Sequence, residues 1–314
     1  MVSRGKAMVK QMLEVLGLGE WLWDMLPQGP RAGGAPYNLA FQAHAMGHPA
    51  AIVSRVGDDD MGRELANLAA DAGINLSCAQ VDPRFPTGKV LVEKMPDNEP
   101  AYNILAPAAW DFLEPDETIL QAASTARAIV FGTLASRNHV TRQTVRHILD
   151  GAPRAARVFD VNLRQAFHSP ELITDLLACS NWLKVNTAEL EHIAKVSAVD
   201  GPDNLTLAKA LLQKHQLDLV AVTDAGNGAM LVTGSGAWRV EGHPVSGGDP
   251  VGAGDAFTAG LLTRYLEGAP PEKMLAFANA LAACVAGEVG GTPSIARSRV
   301  ESLADRLPIH VLGR

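Results

Sequence analysis

Short apolar runs of strand length determine how this chain folds: Ala-Ile-Val-Phe at 128–131, Arg-Val-Phe-Asp-Val at 157–161, Trp-Leu-Lys-Val at 182–185 and Leu-Val-Ala-Val-Thr at 219–223. Two similar runs lie upstream, at 12–18 and 51–55. Segments with helical periodicity, such as 59–72 and 206–213, separate the runs. Strands that are apolar at nearly every position and alternate with helices indicate a sheet covered on both faces. We therefore expect an α/β fold with a doubly wound, mostly parallel sheet.

Two further stretches are rich in turn residues and lack helical neighbours. The first is 21–31, and the second predicts a hairpin with strands at 88–94 and 101–105 and a turn at 96–98. We expect both to form a small separate β-sheet that covers a site as a lid. The predicted domains follow from this division, with the α/β core at 11–20, 34–82 and 107–314 and the lid at 21–33 and 83–106.

Composition excludes several classes of protein. Of the 314 residues 47% are hydrophobic and 19% are charged, which excludes a disordered chain. A net charge of -7 without a basic run gives no basis for nucleic-acid binding. The longest uncharged apolar stretch, 275–287, is too short to span a membrane, and Glu14 and Glu20 interrupt what would be a signal-peptide core. We expect a cytoplasmic protein whose partners are small molecules.

The strongest local motif is Asp-Pro-Val-Gly-Ala-Gly-Asp at 249–255, followed by a helical segment. The small residues Gly252, Ala253 and Gly254 allow consecutive backbone amides to converge at a helix N-terminus, where an anion is favoured. An acidic residue in such a cradle, Asp255, suits a general base that takes a hydroxyl proton beside an incoming phosphoryl group. Taken alone, the motif is equally compatible with Asp255 as a helix cap and with glycines that merely turn the chain.

A second motif, upstream, decides between these interpretations. It consists of small residues, a proline and an asparagine at a fixed spacing: Gly33, Gly34, Pro36, Asn38, Ala40, Gly47 and Gly57. Together with 249–262, this spacing resembles the two sequence patterns of the ribokinase-like, or PfkB, family of carbohydrate kinases. The resemblance extends from about residue 15 to about residue 294. Phrases at 19–24, 109–112, 159–165 and 184–190 are similar to the fructokinase-like branch of that family.

The resemblance implies a fold, an activity and a set of sugar-binding residues. The activity is transfer of a phosphoryl group from ATP to a primary hydroxyl of a small sugar, with Asp255 as the base; the small residues 252–254 shape the cradle, and the amides of Ala253, Gly254 and Asp255 with Mg²⁺ stabilise the developing charge. Asp24 would hold sugar hydroxyls, since a carboxylate accepts two charge-assisted hydrogen bonds. Gly33 and Gly34 would let the backbone approach the sugar, and Asn38 would hydrogen-bond it. A turn aspartate and a helix cap are the structural alternatives for Asp24 and Asn38.

Arg164 follows the strand that ends near 161. By resemblance it contacts the sugar or the transferred phosphoryl group and stabilises charge there; the alternative is a solvated surface arginine. On the predicted hairpin, Tyr102 or Asn103 are candidates for the lid side of the pocket, although no matched motif includes them.

Asn186 and Glu189 have two compatible interpretations. Asn-x-x-Glu where a strand meets a helix is a variant of the capping box. In the resembling family the same residues organise water and Mg²⁺ around the triphosphate. Because Mg²⁺ binds largely through water and substrate phosphates, the absence of an acidic cage does not exclude it.

Further nucleotide and ion contacts are implied by the resemblance alone. Thr223 and Gly228 match the family's Thr-x-Gly-x-x-Gly loop under the nucleotide, but Ala225 replaces the first glycine. Asn279 corresponds loosely to the family's asparagine in the nucleotide pocket. The carbonyls of Asp249 and Val251 are candidate ligands of a monovalent cation such as K⁺, as in some family members.

Several functions remain open at this stage. Fructose is the first choice of acceptor, followed by 2-keto-3-deoxygluconate, ribose and, last, a nucleoside. A sugar- or nucleotide-binding regulator without catalysis is the alternative of another class, because a fold does not fix a function. A nicotinamide-dependent oxidoreductase is disfavoured, since Gly17-Leu18-Gly19 is not followed by the third glycine of GxGxxG. The exposed edges of a lid sheet indicate a homodimer formed through the lid.

Overall fold

The computed structural model describes residues 12–94 and 100–312. The basic N-terminal residues, the predicted turn at 96–98 and the side chain of Tyr102 lie outside this description. In chain order the elements are β1 (Val15–Leu18), β2 (Leu22–Leu26), β3 (Gly29–Gly33), α1 (Ala35–Ala45), β4 (Ala50–Gly57), α2 (Asp60–Asp71), β5 (Ala79–Asp82), β6 (Gly88–Lys94), β7 (Pro100–Ile104), α3 (Glu117–Thr125), β8 (Ala128–Phe131), α4 (His139–Asp150), β9 (Ala156–Asp160), α5 (Pro170–Cys179), β10 (Trp182–Asn186), α6 (Thr187–Val196), α7 (Asn204–Lys214), β11 (Leu219–Thr223), β12 (Gly228–Thr233), β13 (Gly236–Glu241), α8 (Ala253–Leu266), α9 (Pro271–Ala286), α10 (Arg297–Ala304) and β14 (Ile309–Val311). Short 3₁₀ helices lie at Ala109–Phe112, Leu134–Arg137 and Ala225–Asn227.

Ten strands of the described chain form one large sheet in the order β14-β13-β12-β11-β10-β9-β8-β1-β4-β5. The strands from β11 through β5 run parallel to one another, and β12, β13 and β14 add an antiparallel edge. The doubly wound, mostly parallel sheet expected from the apolar runs is confirmed. From β1 the chain builds outward first through β4 to β5 and later through β8 to β11. Ligands in open α/β sheets bind where the strand order reverses in this way, at the carboxyl ends of the strands.

Helices cover both faces of this sheet, which explains why its strands are apolar on both sides. One core contains side chains of α1, α2, α8, α9 and α10, and the other contains side chains of α3 to α7. Alternate residues of β1 enter opposite cores, Val15 the first and Leu16 the second. Within the described residues, no helix combines the length and the apolar character required to cross a bilayer.

A separate four-stranded sheet has the order β3-β2-β6-β7. It contains both of the turn-rich stretches from which a second sheet was expected, with β6 and β7 antiparallel as a hairpin requires. Trp110 lies in the small apolar cluster beneath this sheet. Beside it, the guanidinium of Arg137 stacks 4.0 Å from the centroid of Trp110, forms an ion pair with Asp111 at 2.7 Å and donates to the carbonyl of Leu105. These contacts connect the end of β7 to the 3₁₀ helix that follows β8.

Candidate active site

The motif at 249–255 forms the turn that begins helix α8. Gly252 has φ of 78°, a left-handed conformation that favours glycine, and a Cβ there would lie 2.5 Å from the Cα of Gly291. The structure differs from expectation at Ala253, whose amide already donates to the carbonyl of Pro250 at 3.2 Å. The first turn of a helix leaves its amides without intrahelical acceptors, so the amides of Gly254 and Asp255 are the ones that remain to donate to an anion in a cradle there.

Asp255 lies in that first turn, facing helix α1. The side-chain amide of Asn38 donates to Oδ2 of Asp255 at 2.8 Å, which brings the two sequence motifs into direct contact. Burial and, secondarily, the charge of Asp160 raise the pKa of Asp255 to about 6. The hydrogen bond from Asn38 and the positive charges of Lys184 and Arg164 oppose that rise. Asn38 is buried and its Oδ1 has no hydrogen-bond partner among the described residues, so one acceptor beside Asp255 remains available.

Beneath the cradle lies a buried ion pair that the sequence analysis did not select. Nζ of Lys184 donates to Oδ1 of Asp160 at 3.0 Å, and both residues are less than a tenth exposed. The hydroxyl of Thr258 on α8 donates to Oδ2 of Asp160 at 2.9 Å. A Cβ at position 254 would lie 3.1 Å from Nζ of Lys184, so the glycine leaves room for the ammonium. The pair thus connects β9, β10 and the first turn of α8, and it places positive charge close to the cradle.

The signal that could have revealed this pair is a charged residue inside an apolar strand. Asp160 and Lys184 each interrupt an otherwise apolar run. They are opposite each other in the parallel register of β9 and β10, which a single sequence does not specify.

Asp24 lies on β2, in the separate four-stranded sheet. Burial is the main cause that raises the pKa of Asp24 to about 6; the negative charge of Asp249 adds to the rise and Arg164 opposes it. Gly33 is required by Asp24 itself, since a Cβ there would lie 2.5 Å from Oδ2 of Asp24. Gly34 has φ of 107°, and a Cβ at that position would collide with the carbonyl of Glu20. Within the chain, therefore, the two glycines accommodate Asp24 and Glu20.

Arg164 is exposed, and its Nη1 donates to the carbonyl of the adjacent Leu163 at 3.1 Å. Its positive charge nevertheless lowers the pKa values of three carboxyl groups, those of Glu20, Asp24 and Asp255. The guanidinium therefore lies close enough to the cleft to act on all three, while no side-chain contact among the described residues holds it there.

Asn186 and Glu189 form the capping box that the sequence predicts. Oδ1 of Asn186 accepts the amide of Glu189 at 2.8 Å, and Oε2 of Glu189 accepts the amide of Asn186 at 2.9 Å. The other oxygen of Glu189, Oε1, accepts the amide of Leu163 at 3.0 Å and so holds the loop that carries Arg164. The structural interpretation of Glu189 is thus observed directly, and it links α6 to the loop after β9.

The remaining nucleotide-side candidates lie near the antiparallel edge of the sheet. Thr223 ends β11, and its hydroxyl donates to the carbonyl of Val185 at 3.4 Å. Gly228 begins β12 with φ of 103°. Between them Ala225 adopts φ of 43°, so the chain keeps the left-handed conformation of a glycine although it has a side chain there. Asn279 on α9 donates to the carbonyl of Glu241 at 3.0 Å and is buried.

Comparison with known proteins identifies the family of the chain. The model of the pfkB family of carbohydrate kinases matches residues 29–297. The chain belongs to this family. It is 27% identical to a probable fructokinase-3 of Arabidopsis thaliana over 308 residues, 90% of this chain and 88% of that protein. It is 28% identical to a fructokinase of Klebsiella pneumoniae, with 84% of this chain and 88% of that protein covered.

A solved structure supports the fold of this carbohydrate kinase. Fructokinase with bound ATP from Xylella fastidiosa is similar with a TM-score of 0.81 at 23% sequence identity, over 93% of this chain and 98% of that chain. The resemblance to PfkB proteins and the ribokinase-like fold class expected from the sequence are both confirmed.

The side chains available as ligands determine how this kinase could hold a metal ion. In the described ranges, no group of three or more His, Cys, Asp or Glu side chains is arranged to hold a metal. Each oxygen of Glu189 already accepts a backbone amide, but a carboxylate oxygen has a second lone pair. The arrangement therefore fits a hydrated ion contacted through water and does not fit direct ligation by several carboxylates.

Proposed function

We propose that this carbohydrate kinase transfers the γ-phosphoryl group of ATP to the 6-hydroxyl of fructose, giving fructose 6-phosphate and ADP. The observation that carries the proposal is Asp255 in the first turn of α8, oriented by Asn38 at 2.8 Å. With its pKa raised to about 6, this carboxylate is ionised at neutral pH and more basic than an ordinary aspartate. Fructose is favoured because the two curated relatives named above are called fructokinases.

The residues divide the reaction among them. Asp24 accepts hydrogen bonds from sugar hydroxyls on the lid side. Asp255 takes the proton of the reacting hydroxyl, whose oxygen forms a bond to the γ-phosphorus while the bond from that phosphorus to the departing ADP oxygen breaks. The amides of Gly254 and Asp255 donate to the developing negative charge, and Arg164 approaches it from the loop after β9. A lid of β2, β3, β6 and β7 excludes water, which would otherwise accept the phosphoryl group.

The nucleotide and ion assignments belong to the same proposal. Mg²⁺, when bound, neutralises triphosphate charge. Asn186 and Glu189 orient water around it, and Thr223, Gly228 and Asn279 lie on the nucleotide side. The carbonyls of Asp249 and Val251 remain candidates for a monovalent cation, and comparing rates in K⁺ with rates in an organic cation tests them.

The division into core and lid, a cytoplasmic location and a lid-mediated homodimer also remain predictions. The dimer is supported by the two unpaired edges of the lid sheet, β3 and β7. Light scattering of the purified protein tests the dimer, and cell fractionation tests the location.

A coupled ADP assay with Mg²⁺ and a panel of acceptors tests the function. Fructose is expected to give the highest kcat/KM, ahead of 2-keto-3-deoxygluconate, ribose and nucleosides, and ³¹P NMR is expected to place the phosphate on the 6-oxygen. Asp255→Asn is expected to lower kcat by roughly 10²- to 10⁴-fold, the range that general-base catalysis contributes. Binding of sugar without turnover of any acceptor would instead indicate a non-catalytic regulator, and wild-type turnover by Asp255→Asn would contradict the assignment of the base.

A further inference from the structure

A small cavity lies beside Asp255, at the place where the strand order of the large sheet reverses. Its volume is about 20 Å³, which is room for one water molecule. Three acidic residues are among those that line it, Glu20, Asp160 and Asp255. Residues that follow β8 and β9 complete its polar side, with Thr133 and Asn162 among them.

The proposed reaction gives a part to Asp255 but none to Glu20. Glu20 follows β1 and is 5% exposed. It lies against the start of α1, because a Cβ at Gly34, the N-cap of that helix, would collide with the carbonyl oxygen of Glu20. Helix α1 also carries Asn38, which donates to Asp255. A position beside a helix N-terminus does not by itself require a carboxylate to share a cavity with a second carboxylate.

The three acids differ in how their charges are compensated. Asp160 forms an ion pair with Lys184 and accepts the hydroxyl of Thr258. Asp255 accepts the amide of Asn38. Glu20 forms no ion pair with any residue that the structure describes. Its pKa rises to about 7, mainly by burial and then by the charge of Asp255, with Arg164 as the opposing positive charge.

We propose that Glu20 receives, through one water molecule in this cavity, the proton that Asp255 removes from the sugar hydroxyl. The inference rests on the proposed function and deepens it. Protonated Asp255 gives its proton to the water oxygen, and the water gives one of its own protons to the carboxylate of Glu20. Water is regenerated, Asp255 returns to its ionised form, and the proton leaves Glu20 for solvent when the site opens. Glu20 thus acts through Asp255 and does not contact the substrate.

The charges around Asp255 and Glu20 determine how kcat depends on pH. Asp255 faces Asp160, Lys184, Arg164 and Glu20, whereas Glu20 faces Asp255 and Arg164. Two coupled carboxyl groups titrate in steps that belong to the pair. The acidic limb of kcat in the wild-type protein should therefore contain two ionisations, because protonation of either group stops the transfer. Glu20→Gln keeps the shape of the side chain, but it does not titrate.

The experiment measures kcat and KM from pH 5 to pH 9 for wild type, Glu20→Gln and Asp116→Asn. Asp116 is a matched control, because its carboxylate caps α3, accepting the amide of Ile119 at 2.8 Å, and lies outside the residues that line the cavity. Glu20→Gln is expected to lower kcat at pH 8 by roughly tenfold, a fraction of what a general base contributes, and to leave both KM values within about twofold. Its acidic limb is expected to contain one ionisation, at lower pH than in wild type. Asp116→Asn is expected to keep the wild-type profile.

Other outcomes separate the two proposals. A wild-type protein that phosphorylates no sugar overturns the proposed function. An active wild type whose Glu20→Gln variant keeps the two-ionisation profile overturns the role of Glu20 and leaves the kinase intact. A raised KM for the sugar with an unchanged profile also overturns it, since Glu20 would then contact substrate. If Glu20→Gln does not fold, Glu20→Asp decides: a lower kcat with two ionisations supports the relay, and wild-type kcat contradicts it.

Discussion

Removing the ammonium of Lys184 should destabilise the protein far more than removing a surface lysine. In Lys184→Met, the carboxylate of Asp160 loses its partner at 3.0 Å and keeps the hydroxyl of Thr258. Because Asp160 is only 6% exposed, bulk water does not reach it, and at most the single water that the cavity admits can replace the lost contact. Breaking one partner of a buried pair typically costs about 3–5 kcal/mol. A cost of that size is a large part of the roughly 5–15 kcal/mol by which a typical domain is stable.

Urea unfolding of a double-mutant cycle measures this cost. Lys184→Met/Asp160→Asn removes both charges and is expected to recover most of the lost free energy of unfolding. Lys273→Met is the matched control, because Lys273 and Asp305 form an exposed pair at 3.8 Å that should contribute less than about 1 kcal/mol. The reasoning fails if Lys184→Met costs no more than Lys273→Met, or if the double variant is less stable than the single one.

The pH dependence of kcat/KM measures the effect of the Lys184 charge independently of stability. Lys184 lowers the pKa of Asp255 and Asp160 raises it. In Lys184→Met the acidic limb of kcat/KM should therefore move to higher pH, and in the double variant the two changes should partly cancel. A limb that does not move in the folded single variant would show that the charge of Lys184 does not reach the base.

Three further changes test other parts of the site. Asn38→Ala removes the hydrogen bond that lowers the pKa of Asp255, so the acidic limb of the pH-rate profile should move to higher pH. An acidic limb that does not move would contradict this. Burial raises the pKa of Asp255 from 3.8 to about 6 in the folded state, so the stability that its protonated form contributes is present below about pH 4 and is lost as the pH rises through about 6. That change in pKa corresponds to roughly 3 kcal/mol, so thermal unfolding at pH 8 should show Asp255→Asn to be more stable than wild type by up to about 3 kcal/mol, and equal stability would contradict this. Ala225 has φ of 43°, a left-handed conformation that glycine adopts without strain. Ala225→Gly should therefore be as stable as wild type or up to about 1 kcal/mol more stable, and Ala225→Val should be less stable than wild type. A valine variant as stable as wild type would contradict the left-handed conformation.

The parallel part of the fold could be predicted because its strands are buried on both faces. The runs at 128–131, 157–161, 182–185 and 219–223 all became neighbouring strands of the large sheet. The antiparallel edge of β12, β13 and β14 was not predicted. In β13 the burial of successive residues is mixed, with exposed Arg239 beside buried Val240, so no continuous apolar run marks the strand.

Asp255 could be selected as the candidate base because it lies in a continuous motif, whereas the other charged groups around it could not be selected from the sequence. Asp255 lies in a continuous motif with the cradle, and Asn38 lies in a second motif. Lys184 meets Asp160 through the register of two strands, and Glu20 meets Asp255 through the cavity at the reversal of strand order. In the sequence, Glu20 interrupts what would be a signal-peptide core and lies in the phrase at 19–24 that is similar to the fructokinase-like branch, but neither pattern indicates that it lies near Asp255. Such contacts require the topology, which a local pattern does not contain.

The small residues of the motif at 249–255 have a physical reason beyond access for a phosphate. Gly252 permits close contact with Gly291, and the backbone at 291 in turn approaches the side chain of Asn38, since a Cβ there would lie 2.8 Å from its amide. Gly254 leaves space for Nζ of Lys184. A side chain at 252 would therefore collide with the backbone that packs against Asn38, and one at 254 would press on the ammonium of Lys184. Each glycine thus accommodates a group that opposes the rise that burial causes in the pKa of Asp255, so the packing of the motif and the charge of Asp255 depend on the same residues.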